Sequence, residues 1–358
     1  HGSILNAPAS LVQTGNLILE AANGGVGYIP SDGINPAVSQ PLQLSLLPGA
    51  TLTARGAGDV DIVESGDLNV DTVFSRGKAK LMAAGSILGA YPGSELSVLA
   101  GFITLDATGG AVGESANPLD VGVTDPLGRI EATSATGQGV YLNGPLGAQF
   151  NIGNITSGDA VYLSSDLGAL IDGTVTGPGP ISLVSGGTMT LTPKADVHAT
   201  TLGVFLRAGG LVMQDAQRMI DNGETLDPKY VTGDAARIRV DVGTIDLETT
   251  GDALITGIQT GNTTEDAIRV VSTAGRILDN GDTRLDIIAD QGNAKLTISG
   301  ALGVGDDPLD VRLVNLQATS GGVVDLAAEG PLNIVGITAG DRVLLSATGD
   351  ITGDAVTS

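Results

Sequence analysis

The sequence predicts an all-β fold, a right-handed parallel β-helix (β-solenoid) with short turns and a few loop excursions. Three observations carry that expectation. A long stretch occurs twice, short β-branched runs are punctuated by Gly and Asp about every twenty residues, and the apolar content almost lacks rings. In 358 residues there are 54 Gly, hydrophobics reach 42%, and aromatics make up only 3%. Glycine is thus about twice its usual share, and the core is expected to be Val, Ile, Leu and Ala in a thin, layered interior.

The duplication is read from spacing. Gly110-Ala111-Val112-Gly113, followed by Pro118-Leu119-Asp120-Val121, returns as Gly300-Ala301-Leu302-Gly303, followed by Pro308-Leu309-Asp310-Val311. Ala84-Gly85-Ser86-Ile87-Leu88 returns as Ala274-Gly275-Arg276-Ile277-Leu278, and Ile155-Thr156-Ser157-Gly158-Asp159 as Ile337-Thr338-Ala339-Gly340-Asp341. Gly85 to Gly275 and Gly110 to Gly300 are both steps of 190 residues. A unit that tolerates tandem copying is one on which its neighbours stack, which points to a solenoid. The chain divides by this reading into first coils with a Pro-rich loop (1–57), a β-helix module (58–235) and a second, continuous module (236–358).

In chain order, Leu17-Ile18-Leu19 opens the grammar of strand, small residues, Gly and next strand. Residues 29–50, with Pro30, Pro36, Pro41 and Pro48, are expected to form a surface loop because proline cannot donate to a ladder. From Gly58 onward, period-2 runs such as Gly58–Val63, Ala79–Ala83, Phe102–Leu105, Val161–Leu163, Ile181–Val184, Ile268–Val271 and Val343–Leu345 predict strands with alternate residues inward. With coils of about 20–25 residues and one strand spacing of ~4.8 Å per coil, a rod of roughly 70–80 Å is expected. Residues 213–232 break the rhythm with Gln214–Ile220 and then Asp227-Pro228-Lys229-Tyr230, predicting a short helical or irregular excursion.

Composition also excludes chemistry. The net charge of -23, with only 17 Lys+Arg, opposes nucleic acid and anionic membrane as partners. No run of 18 apolar residues predicts a membrane span. Without Cys there are no disulfides, thiolate zinc sites or thiol nucleophiles, and His1 and His198 are too few for a histidine metal centre. His1-Gly2-Ser3 reads as an expression-tag remnant. His198 is expected at a coil edge on the surface. Asp306 with Asp307, Glu265 with Asp266, and Asp282 with Asp286 are the carboxylate pairs available to a glycosidase. Forty acidic residues produce such pairs by chance. Asn154-Ile155-Thr156 and Asn262-Thr263-Thr264 fit the N-glycosylation triplet. Gly-Asp at 58–59, 66–67, 158–159, 233–234, 251–252, 340–341 and 349–350 is first a turn signal. A row of such carboxylates is also the weak case for Ca2+, the single cofactor considered. No catalytic, cofactor-binding or metal residue is assigned.

Ile155–Leu163 and Val343–Gly353 resemble the repeats of filamentous-haemagglutinin-type exoproteins, large bacterial surface adhesins. The resemblance covers most of residues 58–358 and implies a right-handed parallel β-helix, export across the outer membrane, and an adhesive or spacing rod at the bacterial cell surface. The sequence departs from the family in showing no recognisable secretion domain, of whose Asn-Pro motif Gly33-Ile34-Asn35-Pro36 is at most a fragment. Expected partners are neighbouring solenoid modules of the same parent chain, other copies in a fibre, or a host or biofilm surface. The function expected is a structural or adhesive segment and not an enzyme. The alternatives are a β-helical polysaccharide lyase or glycoside hydrolase and a calcium-dependent binding module.

Overall fold

The computed structural model describes residues 2–7, 11–29, 31, 37–92, 96–281, 284–301, 303–353 and 356–357. Short strands dominate, and nearly all of their pairings are parallel, the arrangement of a β-solenoid. Tyr28–Ile29 with Val38–Ser39 is the antiparallel strand pair among the described residues, and Ala216–Asp221 is the helix. The chain forms two compact units, His1–Leu167 and Gly168–Ser358, so each unit holds one copy of the duplicated sequence.

In the first unit, strands of successive turns stack in columns, and Leu68–Ser75 pairs onward with both Ile87–Gly89 and Val98–Ala100. Along one column Leu42, Ile62, Leu81, Leu105, Ala132 and Ile155 oppose one another in register, in steps of 19 to 27 residues. Each is 2% exposed or less. This is the consequence of period-2 patterning: alternate side chains point inward and meet their counterpart one turn away. Burying each large one stabilises by about 1.5–3 kcal/mol.

The second unit uses three columns of strands. One column runs through Thr174–Gly177, Asp196–Ala199, Arg237–Val240, Ile258–Thr260 and Ile287–Ala289. Its inward ladder is Val175, Val197, Ile238, Ile258, Ile287 and Val311. The step from Val197 to Ile238 is 41 residues, against 22 from Val175 to Val197. The surplus is the excursion expected at 213–232, which loops out and rejoins the same ladder. Gln214 carbonyl accepts from Ala236 N–H, and Asp215 pairs with Ala235, so the excursion is closed at its base.

One expectation needs correction. Leu42–Leu46, inside the presumed 29–50 loop, is a core strand with Leu42 and Leu44 buried, pairing with Val12–Thr14 and Val60–Glu64. Pro41 does not prevent this because it precedes the first strand residue, where no ladder hydrogen bond is lost. The duplicated glycines are not used identically. Gly113 takes φ +68°, but in the second copy the left-handed residue is Gly305 (φ +73°), not the aligned Gly303. In both copies a Cβ at the left-handed glycine would strike a carbonyl of the next turn, that of Tyr141 or of Asp325. The downstream Leu119, Val121, Leu309 and Val311 are fully buried as the repeat predicts.

Candidate functional site

The Gly-Asp pairs form a recurring device at the corners. Lys78 N–H donates to Asp59 Oδ1 (2.8 Å), Ser86 N–H to Asp67 Oδ1 (2.7 Å), and Arg276 N–H to Asp252 Oδ1 (2.8 Å). Each bond joins one turn to the next, 19, 19 and 24 residues on. The residue before each donor is Gly77, Gly85 or Gly275, and a side chain there would enter the carboxylate's space. A buried serine completes two of these corners. Ser75 Oγ donates to Gly58 carbonyl (2.9 Å) and Ser272 Oγ to Gly251 carbonyl (2.8 Å), again one turn back. The device therefore has three parts: Asp in one turn, and in the next a Gly that admits it and an N–H that bonds it. Sequence reasoning saw the Gly-Asp corner but placed its hydrogen bond within a turn. The missing signal was the Gly-x at the same corner of the following coil.

Asp234 departs from this use. It accepts from Val231 N–H and pairs with Lys194 Nζ at 2.8 Å, which hold its carboxyl below the usual range, the Lys194 contact foremost.

Among the described residues, the other sequence candidates are not brought together at one place. His198 Nε2 lies 2.9 Å from Asp241 Oδ1, a hydrogen-bond contact between the two side chains. Glu265 and Asp266 are both exposed, and Glu265 faces Lys295 Nζ at 3.9 Å. Asp282 and the Gly33–Pro36 motif lie outside the described residues, as does the side chain of Asp306. Asp286 is fully buried and its Oδ2 accepts from Asp310 N–H (2.9 Å). Asn262 is buried, with Oδ1 accepting from Thr264 and Nδ2 donating to Asp266 carbonyl, so its triplet is closed to modification, whereas Asn154 is exposed. Among the described residues no group of three or more His, Asp or Glu side chains is placed to hold a metal ion. No helix among them is long and apolar enough to cross a membrane.

The excursion builds a different surface. Asp215, buried, caps the helix Ala216–Asp221 by accepting from Arg218 N–H (2.9 Å), and its Oδ2 faces Arg284 Nη1 at 3.2 Å. The far end is latched to the coil by Asp172, which receives Lys229 Nζ (2.6 Å), Tyr230 Oη (2.7 Å) and Thr192 Oγ1 (2.7 Å). Burial lowers the affinity of Lys229 for its proton, but hydrogen bonds and charge from Asp172 and Tyr230 outweigh it and lift its pKa. Burial pushes the Tyr230 hydroxyl up as well. Beside the base of the excursion lies a hollow of about 340 Å3, lined in part by Arg237, Arg239, Gln259, Arg284, Leu285 and Ile288.

No protein-family model, no curated protein and no solved structure matches the chain. The parallel β-solenoid therefore rests on the strand pairing and register alone.

Proposed function

We propose that the chain is a structural and adhesive segment of a long extracellular bacterial β-solenoid fibre, of the kind its repeats resemble, and that it is not an enzyme. The observation that carries this reading is how the corner side chains are spent. Asp59, Asp67, Asp252, Ser75 and Ser272 all bond the adjacent turn. On the strand faces Arg269 pairs with Asp246 (2.6 Å) and Arg312 with Asp290 (2.8 Å), each one turn away. Such surface chemistry adds cohesion along the stack, which a spacer or adhesive stalk needs. A catalytic flank would instead leave carboxylates converging on open space. Glu265 and Asp266, the predicted pair with both side chains among the described residues, are both exposed, and Glu265 faces Lys295.

Electron microscopy of the intact parent protein, with gold-labelled antibody against this segment on unpermeabilised cells, tests the proposal. Labelled rods at the cell surface are expected. A compact particle, or label confined to the cell interior, overturns it. A panel of acidic and neutral polysaccharides incubated with the purified chain is expected to remain uncut, and release of reducing ends or unsaturated products contradicts the non-enzymatic reading.

A further inference from the structure

The hollow beside the excursion reverses the sign of the molecule. The chain carries 40 Asp+Glu against 17 Lys+Arg, yet the described residues lining this hollow include three arginines and neither Asp nor Glu. Two of the guanidiniums are neutralised from behind. Arg239 is gripped by Asp196 through two bonds, Nε to Oδ1 at 2.9 Å and Nη2 to Oδ2 at 2.7 Å, and Arg284 faces the buried carboxylate of Asp215. Arg237 is different. Its Cα partner one turn back is Asp196, which Arg239 already occupies, and the nearby Asp234 is held by Lys194. Arg237 is exposed and its guanidinium makes no hydrogen bond or ion pair with the described residues. Arg237 is therefore opposed by charge alone, from Asp234, a carboxylate that Lys194 already pairs.

We infer that this hollow binds a small ligand with one carboxylate on a compact apolar body, the carboxylate on Arg237 and the body over Leu285 and Ile288. The inference goes beyond a stalk function and does not depend on it. Guanidinium forks match carboxylate geometry and hold it with charge-assisted bonds. The exposed Gln259 amide, on the turn after Arg239, offers a further donor and acceptor at the rim. Leu285 and Ile288 are half-buried and supply apolar wall. The volume falls within the usual range for small-molecule sites. Charge count decides the class: in the field of a chain at -23, each added negative charge on a ligand is repelled, so one carboxylate is favoured over a phosphate dianion or a polyanion. The walls are prearranged, since Thr256 Oγ1 donates to Ala236 carbonyl (2.8 Å) and the latch at Asp172 anchors the excursion.

Calorimetric titration of the whole folded chain with N-acetyl-leucine, N-acetyl-leucinamide and galacturonate tests it. Saturable binding of N-acetyl-leucine is expected, with the uncharged amide and the sugar acid each about ten-fold weaker or worse. Arg237→Gln is expected to lose about ten-fold, while Arg237→Lys keeps part of the affinity and Arg207→Gln, an exposed arginine on another column, binds like wild type. Unchanged melting of each variant confirms that it is folded. No saturable binding, equal binding of acid and amide, or wild-type affinity in Arg237→Gln overturns the carboxylate site. Equal binding of galacturonate overturns the apolar-body assignment.

Discussion

The regular corners of the first unit and the excursion flank of the second are built from the same residue types used over different spans. At the corners, Asp59 and Asp67 reach residues 19 positions on. At the flank, Asp196 holds a residue 43 positions on and Asp172 one 58 positions on. Both sets of contacts bridge neighbouring layers of structure, because the excursion adds sequence without adding a turn. The difference teaches that a solenoid's cohesion is carried by any polar group that can reach across a turn, while an insertion frees some groups from that duty. Arg237, displaced from Asp196 by Arg239, is the clearest case.

Core truncation should have the largest effect and should not distinguish the two regions. Leu105→Ala and Ile258→Ala each remove a buried rung and are expected to cost about 2–5 kcal/mol by denaturant unfolding. A much smaller cost at either rung would break the claim that the ladder is continuous through the inward positions of its unit. Gly113→Ala comes next, at about 2–3 kcal/mol, since it forces a left-handed backbone and meets the Tyr141 carbonyl.

The corner device predicts non-additivity. Asp59→Ala is expected to cost about 1 kcal/mol, because the carboxylate is half-exposed and a charge-assisted bond is partly screened. Gly77→Ala alone should cost at least as much by evicting that carboxylate, but should be nearly neutral once Asp59 is Ala. Additive costs would separate the glycine from the staple. At the flank, Lys229→Ala should accelerate hydrogen exchange across the excursion amides while leaving the global transition almost unmoved. A global shift equal to that of Leu105→Ala would place the excursion in the core.

Acidification should sharpen the same contrast with the smallest effect. Burial raises the carboxyl pKa of Asp61, Asp120, Asp310 and Asp325, opposed at Asp61 by the Ser39 hydrogen bond and at Asp120 by that of Asn143. The folded chain binds protons at these sites at pH values where the unfolded chain has lost them. Stability therefore falls as pH rises through the window above the ordinary Asp value, and a modest gain in melting temperature is expected on acidifying from neutral into it. Asp234 and Asp290 have lowered values, so their contribution is present above the ordinary value and is lost only as pH falls through the lowered folded ones. Monotonic loss of stability from pH 7 downward would contradict these assignments.

Much of the fold was legible because a solenoid is a local code repeated. Period-2 runs such as Phe102–Leu105 became strands, and the 190-residue offset placed one copy in each compact unit. Residues 29–50 were misread because proline was weighed as a strand breaker without asking where in the strand it fell. The arginine-lined hollow was not legible: Arg284 reaches Arg237 and Arg239 only across the two successive steps Ile238 to Ile258 and Ile258 to Ile287, and no local pattern signals which carboxylate each guanidinium will find.

Paired cysteines measure the stacking register directly, in a chain that otherwise has none. Thr104 and Glu131 are Cα partners on adjacent turns, both pointing away from the buried ladder. Thr104→Cys with Glu131→Cys should form a disulfide readily under mild oxidation, whereas Thr104→Cys with Thr133→Cys, two residues out of register, should not. Preferential cross-linking of the shifted pair, or of neither, would contradict parallel turns stacked in this register.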